Sequence, residues 1–346
     1  MTHTGADPVQ PRGRVRHARR ALDAVLAVIA WVACLVLGVA DATAQPAARL
    51  PRVGVLYIGA PSDASGTGLL RGLHDLGYVE GRNIDLDFRY AGGRPELLPE
   101  LARELVQSKI DVIVTGGPGP FQAVRQASAT VPIVTVGGSD PVAEGWAKTL
   151  ARPGGQATGF TVTFPGIGAK QLELLKEALP QLVRVGLVMD PDEMQLPRFV
   201  EGMQESGRQL GLQVEVLEVR RTEDFEAAFR LAREHRLQAI VGVETTFVLQ
   251  NRQVVAGLAA RERIPLVGEF AVAGTEGLLM AYGADLNELH WRAAGYVDRI
   301  LKGARPGDLP IERPAKLDLV VNRKAARALG ITLPQAVLLR ANRVVE

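Results

Sequence analysis

Two carboxylates, Asp140 and Glu269, follow glycine-containing turns and could each hold a small positively charged group. Asp140 comes after Gly137-Gly138-Ser139, and Glu269 comes after Leu266-Val267-Gly268. A carboxylate that faces a cleft is a natural partner for an ammonium group, because charge-assisted hydrogen bonds are short and strong. These two residues therefore indicate the capture of a small molecule that carries an amino group.

The other candidate residues lie at or just after predicted β-strands. Ligands of open parallel sheets bind beyond the carboxyl ends of the strands, where loops and helix N-termini gather with unpaired backbone N–H groups. The candidate ligand-binding residues are Ser62, Thr115, Gly116, Gly117, Ser139 and Asp140 in the first half of the chain, and Asp190, Glu244, Glu269 and Tyr282 in the second. For any one loop residue, a role as turn former or helix cap is the simpler interpretation. Tyr282 could stack on a bound ring or could equally be a core tyrosine.

The motifs that enzymes of similar architecture need are missing from the sequence. It contains no G-x-x-x-x-G-K-[ST] phosphate loop and no G-x-S-x-G nucleophile elbow. Gly117-Pro118-Gly119 lacks the third glycine of a dinucleotide site. His74, His235 and His290 are far apart and show no metal-ligand spacing, so each is interpreted as a surface or helix-packing histidine. The sequence predicts no catalytic residue, no metal site and no cofactor.

Short apolar strands that alternate with amphipathic helices must position the candidate residues. One such series runs over 53–136 and a second over 158–267, the pattern of parallel sheets with crossover helices. Each series contains a similar phrase, Arg52-Val53-Gly54-Val55-Leu56 in the first and Arg184-Val185-Gly186-Leu187-Val188 in the second. The predicted fold class is α/β, with two doubly wound parallel-sheet lobes joined by a hinge. If the lobes face each other, the candidate loops form the two walls of one cleft.

The first 44 residues have the three parts of an export signal. Five arginines lie between Arg12 and Arg20, an apolar run extends from Ala21 to Ala40, and the small residues Ala42-Thr43-Ala44 precede Gln45. This order of charged region, apolar region and A-x-A site predicts export and cleavage after Ala44.

Other interpretations of the same segment stay open. An uncleaved membrane anchor is one, because Ala21–Ala40 matches the ~20 residues that a spanning helix needs. Lipid attachment at Cys34 is another, although Trp31-Val32-Ala33 fits the usual preceding pattern poorly. Arg19-Arg20 leaves the export route open between the general secretory and the twin-arginine pathways.

Removal of the signal changes the charge of the chain and its cysteine content. The full sequence has 40 basic and 38 acidic residues, of which five arginines and three aspartates lie in 1–44, so 35 of each remain. A neutral chain gives no reason to expect nucleic acid or an anionic surface as a partner. The single cysteine, Cys34, lies in the signal, so the mature chain has no disulfide or thiol chemistry.

Several motifs in the mature chain resemble a known family, the extracytoplasmic substrate-binding proteins of ABC transporters of the tryptophan-transport type. The resemblance covers essentially the whole mature chain. It is carried by the segments 72–81 (GLHDLGYVEG), 140–142 (DPV), 151–155 (ARPGG) with 158–159 (TG), 281–283 (AYG), 296–304 (YVDRILKGA), 309–310 (LP) and 316–322 (KLDLVVN). Two departures are visible: Gln156 stands where the family usually has Asn, and Glu144-Gly145-Trp146 replaces a more usual Gly-Leu-Val stretch.

The resemblance implies a receptor of the type I periplasmic binding fold that closes on a small molecule and presents it to an ABC permease. The expected organisation is a signal peptide at 1–44, a first lobe at 50–162 and 278–315, and a second lobe at 163–277 and 316–346. We expect a periplasmic monomer that binds an amino acid, an aromatic one in particular. Its ammonium group would be held by Asp140 or Glu269, its carboxylate by amides near Ser62 or Gly116-Gly117, and its ring by Tyr282.

Two other classes of protein remain as alternatives. A periplasmic sensor would use the same closed lobes to engage a membrane receptor instead of a permease, and the sequence does not separate the two. A two-lobed α/β enzyme is the second alternative, because doubly wound lobes also house racemases, kinases and dehydrogenases.

Overall fold

Short runs of β-branched and aliphatic residues form the strands of two sheets, and the amphipathic segments between them form helices. The computed structural model describes residues 49–59, 65–138, 140–162, 166–191, 196–243, 245–268 and 277–346. The strands are β1 (Arg52–Tyr57), β2 (Asp85–Tyr90), β3 (Val112–Gly116), β4 (Ile133–Val136), β5 (Ala157–Phe160), β6 (Arg184–Met189), β7 (Gln213–Glu218), β8 (Ala239–Gly242), β9 (Leu266–Gly268), β10 (Met280–Gly283), β11 (Ile311–Glu312), β12 (Asp318–Asn322) and β13 (Arg343–Val345). The helices are α1 (Ser65–Asp75), α2 (Leu98–Gln107), α3 (Pro118–Ala127), α4 (Ile167–Ala178), α5 (Leu196–Gln209), α6 (Asp224–Glu234), α7 (Thr246–Gln250), α8 (Arg252–Glu262), α9 (Leu286–Leu301), α10 (Arg323–Leu329) and α11 (Gln335–Arg340).

The first sheet has the strand order β11-β5-β4-β3-β1-β2, and all its neighbouring strands are parallel. Apolar side chains are buried on both of its faces. One face packs against α1 and α9, and the other packs against α2 and α3. The sheet is therefore doubly wound, which explains why its central strands are continuous apolar runs.

The second sheet has the order β13-β12-β10-β9-β8-β6-β7. It also carries an apolar core on each face, one beneath α6 and α8 and the other beneath α4 and α5. The strands β1 and β6, which contain the repeated phrase of the sequence, occupy equivalent positions beside β3 and β8. The prediction of two α/β lobes built from parallel strands is thus confirmed.

One pair of strands departs from the parallel arrangement, because β12 runs antiparallel to β10. Its direction follows from the path of the chain. Strand β11 is parallel to β5 and ends at the carboxyl edge of the first sheet, and only residues 313–317 lie between it and β12. The six Cα–Cα steps from Glu312 to Asp318 span no more than about 22 Å. The chain therefore enters the second sheet at its carboxyl edge and must run back through it.

The boundary predicted at residue 278 is wrong, because the chain returns to the first lobe later. Strand β10 pairs with β9 and β12 in the second sheet, so Tyr282 belongs to the second lobe. The return begins after Gly283, with α9. The apolar run 278–282 would suit a central strand of either sheet, so its sequence alone did not assign it to one.

Other elements differ from the predictions in detail. The sequence predicts a single helix from Val248 to Arg261, whereas the structure divides this segment at Asn251 into α7 and α8. The C-terminal segment adds α11 and the edge strand β13, neither of which was predicted. No helix in the described part of the chain is long and apolar enough to cross a membrane, and the apolar run Ala21–Ala40 lies outside that part.

Candidate functional site

The carboxyl edges of the two sheets face each other, because the chain passes between the lobes at these edges. Strand β10 ends at Gly283 in the second sheet, and α9 begins at Leu286 against the first sheet. Three residues span no more than about 11 Å. A second contact agrees with this arrangement: Leu249 of α7, just beyond β8 of the second sheet, packs against the first-lobe cluster that contains Tyr57.

Each sheet has a switch point at its carboxyl edge, where consecutive crossovers leave in opposite directions. In the first sheet β2 and β3 lie on opposite sides of β1, and in the second sheet β7 and β8 lie on opposite sides of β6. Open α/β sheets bind ligands in the crevice that forms at such a point. The candidate site therefore lies between the ends of β1 and β3 on one wall and the ends of β6 and β8 on the other.

Aromatic side chains line the first-lobe switch point. Tyr57 and Tyr90 are the last residues of β1 and β2 and are paired in register, with ring centroids 6.0 Å apart. The Tyr57 ring also meets the edge of the His290 ring, at 5.4 Å and an interplanar angle of 69°. Burial raises the pKa of the Tyr57 hydroxyl above its ordinary value. The Tyr57 phenol is consequently neutral, and this wall is rich in rings.

Gly116 permits the close packing at this point. A Cβ atom on Gly116 would lie 2.5 Å from Cδ1 of Tyr57 and 3.6 Å from Nε2 of His290. Any larger residue at position 116 would therefore displace the Tyr57 ring. Of the predicted site residues, Gly116 is the one that the structure connects most directly to the aromatic wall.

The turn at Gly117 offers fewer amides to a ligand than the sequence suggested. Gly117 has φ +86°, and its N–H donates to the Val136 carbonyl at 2.9 Å. Pro118 and Pro120 have no N–H, so Gly119 carries the one remaining N–H of the first three residues of α3. A carboxylate bound at this helix N-terminus would rely on that single donor and on the helix dipole.

Asp140 caps a turn in the described structure. Its Oδ1 atom accepts hydrogen bonds from the N–H groups of Val142, at 2.9 Å, and Ala143, at 3.2 Å. These bonds favour the turn-capping interpretation for Oδ1, and contact of this carboxylate with an ammonium group stays a prediction.

On the second-lobe wall, two of the predicted residues are described. Asp190 directly follows β6 and is half-buried at the switch point. Tyr282 is half-buried in β10, where its side chain packs at the edge of the core beneath α4 and α5. The Tyr282 carbonyl accepts a hydrogen bond from Nε2 of the buried Gln171, at 3.2 Å. The structure thus places Tyr282 beside the second-lobe core, and stacking on a ligand remains a prediction.

The remaining predicted residues are either buried within a strand or outside the described part of the chain. Thr115 is fully buried in β3, and its hydroxyl has no hydrogen-bond partner among the described residues. Ser62, Ser139, Glu244 and Glu269 lie outside the described residues.

Sequence reasoning missed Tyr57 and Tyr90, whereas the structure confirms His290 as a helix-packing histidine. The spacing of His290 from Leu286 and Ala293, four and three residues, already placed it on the apolar face of α9. The two tyrosines each end a strand, but their proximity depends on the pairing of β1 with β2. Only the helical spacing was available from the sequence.

The two departures from the family pattern have structural explanations. The Gln156 side chain donates from Nε2 to the Ser128 carbonyl at 2.8 Å. Trp146 packs on Phe121 with ring centroids 4.6 Å apart, and its Nε1 donates to Glu144 at 3.1 Å. Burial raises the pKa of Glu144. The segment 144–146 therefore closes the loop after β4 onto the first turn of α3.

Comparison with known proteins identifies the class to which this arrangement belongs. The family model of ABC transporter substrate binding proteins matches residues 53–345, essentially the whole described chain. The chain belongs to this family. A substrate-binding protein of an ABC transporter captures a solute outside the cytoplasm and passes it to a membrane permease, so its partners are a small molecule and that permease.

Individual relatives of this substrate-binding protein agree with the assignment. A tyrosine-binding protein of Clostridioides difficile is 24% identical over 269 residues, which cover 78% of this chain and 77% of that protein. A crystal structure of a conserved domain protein from Vibrio cholerae is 31% identical, with a TM-score of 0.79 and coverage of 86% of this chain and 100% of the other. An ABC domain in complex with L-Trp, from Streptococcus pneumoniae, is 25% identical, with a TM-score of 0.78 and the same coverage.

Proposed function

We propose that this substrate-binding protein captures an aromatic amino acid between its two lobes and delivers it to an ABC permease. The observation that carries the proposal is the aromatic wall at the first-lobe switch point, formed by Tyr57 and Tyr90. Rings of this kind suit an aromatic ligand, because offset or edge-to-face ring pairs contribute about 0.5–1.5 kcal/mol beyond the burial of their area. Two relatives that bind tyrosine or tryptophan give independent support.

The remaining contacts of the ligand are assigned by charge. We assign its carboxylate to the N-terminus of α3, with the Gly119 N–H as donor, and its ammonium group to the acidic residues Asp140, Asp190 or Glu269. We propose Ser62, Ser139 and Glu244 as further ligand contacts. Tyr282 would contact the ligand from the second lobe.

The proposed setting of this binding event is the periplasm. Cleavage after Ala44 would release a mature chain with 35 basic and 35 acidic residues. This balance supports a protein with no nucleic-acid partner, and we propose that the mature form is a monomer without catalytic activity. Release of the ligand chemically unchanged from the purified protein would distinguish this role from that of an enzyme.

Calorimetric titration of the protein purified from the periplasm with the standard amino acids tests the ligand class. We expect at least one aromatic amino acid to bind with a Kd of about 1 μM or lower, which corresponds to about −8 kcal/mol. Aliphatic amino acids of similar size serve as controls and should bind far more weakly. If no aromatic amino acid binds, the proposed ligand class is wrong, and the family assignment is unaffected.

A further inference from the structure

His290 is a buried polar side chain that the proposed ligand contacts do not use. It lies in α9, 2% exposed, on the face that packs against the first sheet. Its Nε2 atom would be 3.6 Å from a Cβ atom on Gly116, the last residue of β3. The imidazole therefore lies directly behind the first-lobe switch point.

The hydrogen bonding of His290 determines which of its ring nitrogens can accept a hydrogen bond. Nδ1 lies 2.7 Å from the Leu286 carbonyl, and a carbonyl only accepts, so Nδ1 carries the proton. Burial lowers the pKa of His290 to about 4, so the ring is neutral at physiological pH. In the neutral ring the other nitrogen, Nε2, is then an acceptor.

Nε2 has no hydrogen-bond partner among the described residues. A buried acceptor without a partner costs free energy, and such groups in native proteins call for an explanation. A second acceptor, Oδ1 of Asn287, is buried one turn earlier on α9, and the described part of the chain likewise gives it no partner. Two acceptor atoms on this part of α9 are therefore buried with no donor among the described residues.

The Tyr57 ring and Gly116 lie beside Nε2. The Tyr57 ring, Gly116 and Nε2 meet at one point, and the Tyr90 ring lies 6.0 Å beyond Tyr57. The Tyr57 ring occupies the space that a side chain at position 116 would take. Rotation of the Tyr57 side chain would open Nε2 to the crevice. A ligand ring that entered there would lie against Tyr57 and direct its edge at Nε2.

We propose that His290 Nε2 accepts a hydrogen bond from a ring N–H or O–H group of the bound aromatic amino acid, with Tyr57 turning aside to admit the ring. This inference rests on the proposed function and specifies its substrate class. Tryptophan carries a ring N–H and tyrosine a ring O–H, whereas phenylalanine carries neither. His290 is therefore a specificity-determining residue that selects tryptophan or tyrosine over phenylalanine.

The unaltered protein provides the first test, by calorimetry with matched ligand pairs. Tyrosine and phenylalanine differ by the ring hydroxyl, and tryptophan and 1-methyltryptophan differ by the ring N–H. In at least one pair, we expect the ligand with the donor to bind at least tenfold more tightly, since sites built to pair a polar group reject ligands that lack it. Equal affinities within both pairs would overturn the proposal.

Variants of His290 provide the second test. His290→Leu removes the acceptor, and we expect the preference within the selective pair to fall below threefold while the affinity for phenylalanine stays within threefold. His290→Gln keeps an acceptor near the position of Nε2 and should restore part of the preference. A thermal melt of each variant checks that it is folded.

The two proposals fail in different ways. If aromatic amino acids bind but His290→Leu leaves the preference unchanged, His290 has only a structural role and this inference is wrong. If the preference persists in His290→Leu through an ordered water, the inference is equally wrong. If no aromatic amino acid binds the unaltered protein, the proposed function itself fails.

Discussion

Among single residues, His290 has the clearest consequence for stability. Its ring is buried between α9 and the first sheet, beside Tyr57. Burial disfavours the charged imidazolium and lowers the pKa of His290 from 6.5 to about 4. The unfolded chain binds a proton at this residue near pH 6.5, whereas the folded protein does not until about pH 4. The contribution of His290 to stability is therefore fully present above pH 6.5 and is lost as the pH falls.

We expect protonation of His290 in the unfolded chain to lower the free energy of unfolding by about 2 kcal/mol between pH 7 and pH 5, since each pKa unit corresponds to about 1.4 kcal/mol. Urea unfolding of the unaltered protein and of His290→Gln at both pH values measures this effect. The variant lacks the titrating ring, so its loss over the same interval should be smaller by that amount. Identical losses in the two proteins would show that His290 does not stay neutral when folded.

At the scale of elements, the packing of α1 against α9 joins two distant parts of the sequence into one layer of the first lobe. The contact is close because α1 contributes Gly68 and Gly72. A Cβ atom at either position would lie 2.3 Å from a backbone carbonyl of α9, that of Asn287 or of Trp291. This packing supports His290 and its neighbours from behind. Backbone atoms have little freedom to yield, so the contact depends on glycine.

Gly72→Ala should destabilise the protein by about 1–3 kcal/mol, the usual cost of overpacking a filled interior. Gly295→Ala on α9 is the matched control, because nothing lies within 4 Å of its Cβ position. Alanine is favoured over glycine in a helix, so the control should be about 0.5–1 kcal/mol more stable than the unaltered protein. Denaturant unfolding measures both changes, and equal effects of the two substitutions would contradict the close α1–α9 contact.

At the scale of the whole molecule, the path of the chain creates the cleft. Along the strands of the described residues, the chain passes from the first sheet to the second after β5, back after β10, and over again after β11. The link from β10 to α9 and the link from β11 to β12 are short, and both lie at carboxyl edges. They therefore hold the two switch points opposite each other. Segments of this kind are the expected hinges of a binding protein that closes on its ligand.

Cleavage of the N-terminal segment is the prediction that concerns the whole chain. N-terminal sequencing and mass measurement of the periplasmic protein should show a chain that begins at Gln45. Replacing both Ala42 and Ala44 by leucine should leave the precursor uncleaved, since the cleavage site requires small residues. A periplasmic protein that retains residues 1–44 would instead support the membrane-anchor interpretation.

Much of the fold was predictable because its signals are local. The apolar runs of β1 and β6 and the helical spacing of Leu289, Ala293 and Val297 follow from adjacent residues. The assignment of β10 to a lobe was not predictable, because its apolar sequence would suit either sheet. The direction of β12 likewise follows from where the preceding crossover ends, which no local pattern encodes.

Some features of the candidate site were likewise predictable from the sequence, and others were not. The glycine turn at Gly116-Gly117 was identifiable, since glycines after a strand mark a sharp turn into a helix. Capping of a turn by Asp140 was a possible role from its residue type, and the structure shows this role for Oδ1. The proximity of Tyr57, Tyr90 and His290 was hidden, because these residues are 33 and 200 positions apart along the chain.

The sequence by itself determined the two α/β lobes, the neutral charge of the chain after Ala44 and the family resemblance, because composition, periodicity and motifs are properties of neighbouring residues. Only the tertiary structure decided which sheet contains β10, which strand ends face each other and which side chains form the first-lobe wall. The physical reason is that strand pairing and helix packing bring together residues from distant parts of the chain. His290 illustrates the difference: its position on a helix face was encoded locally, whereas the burial of its Nε2 atom behind Gly116 exists only in the folded protein.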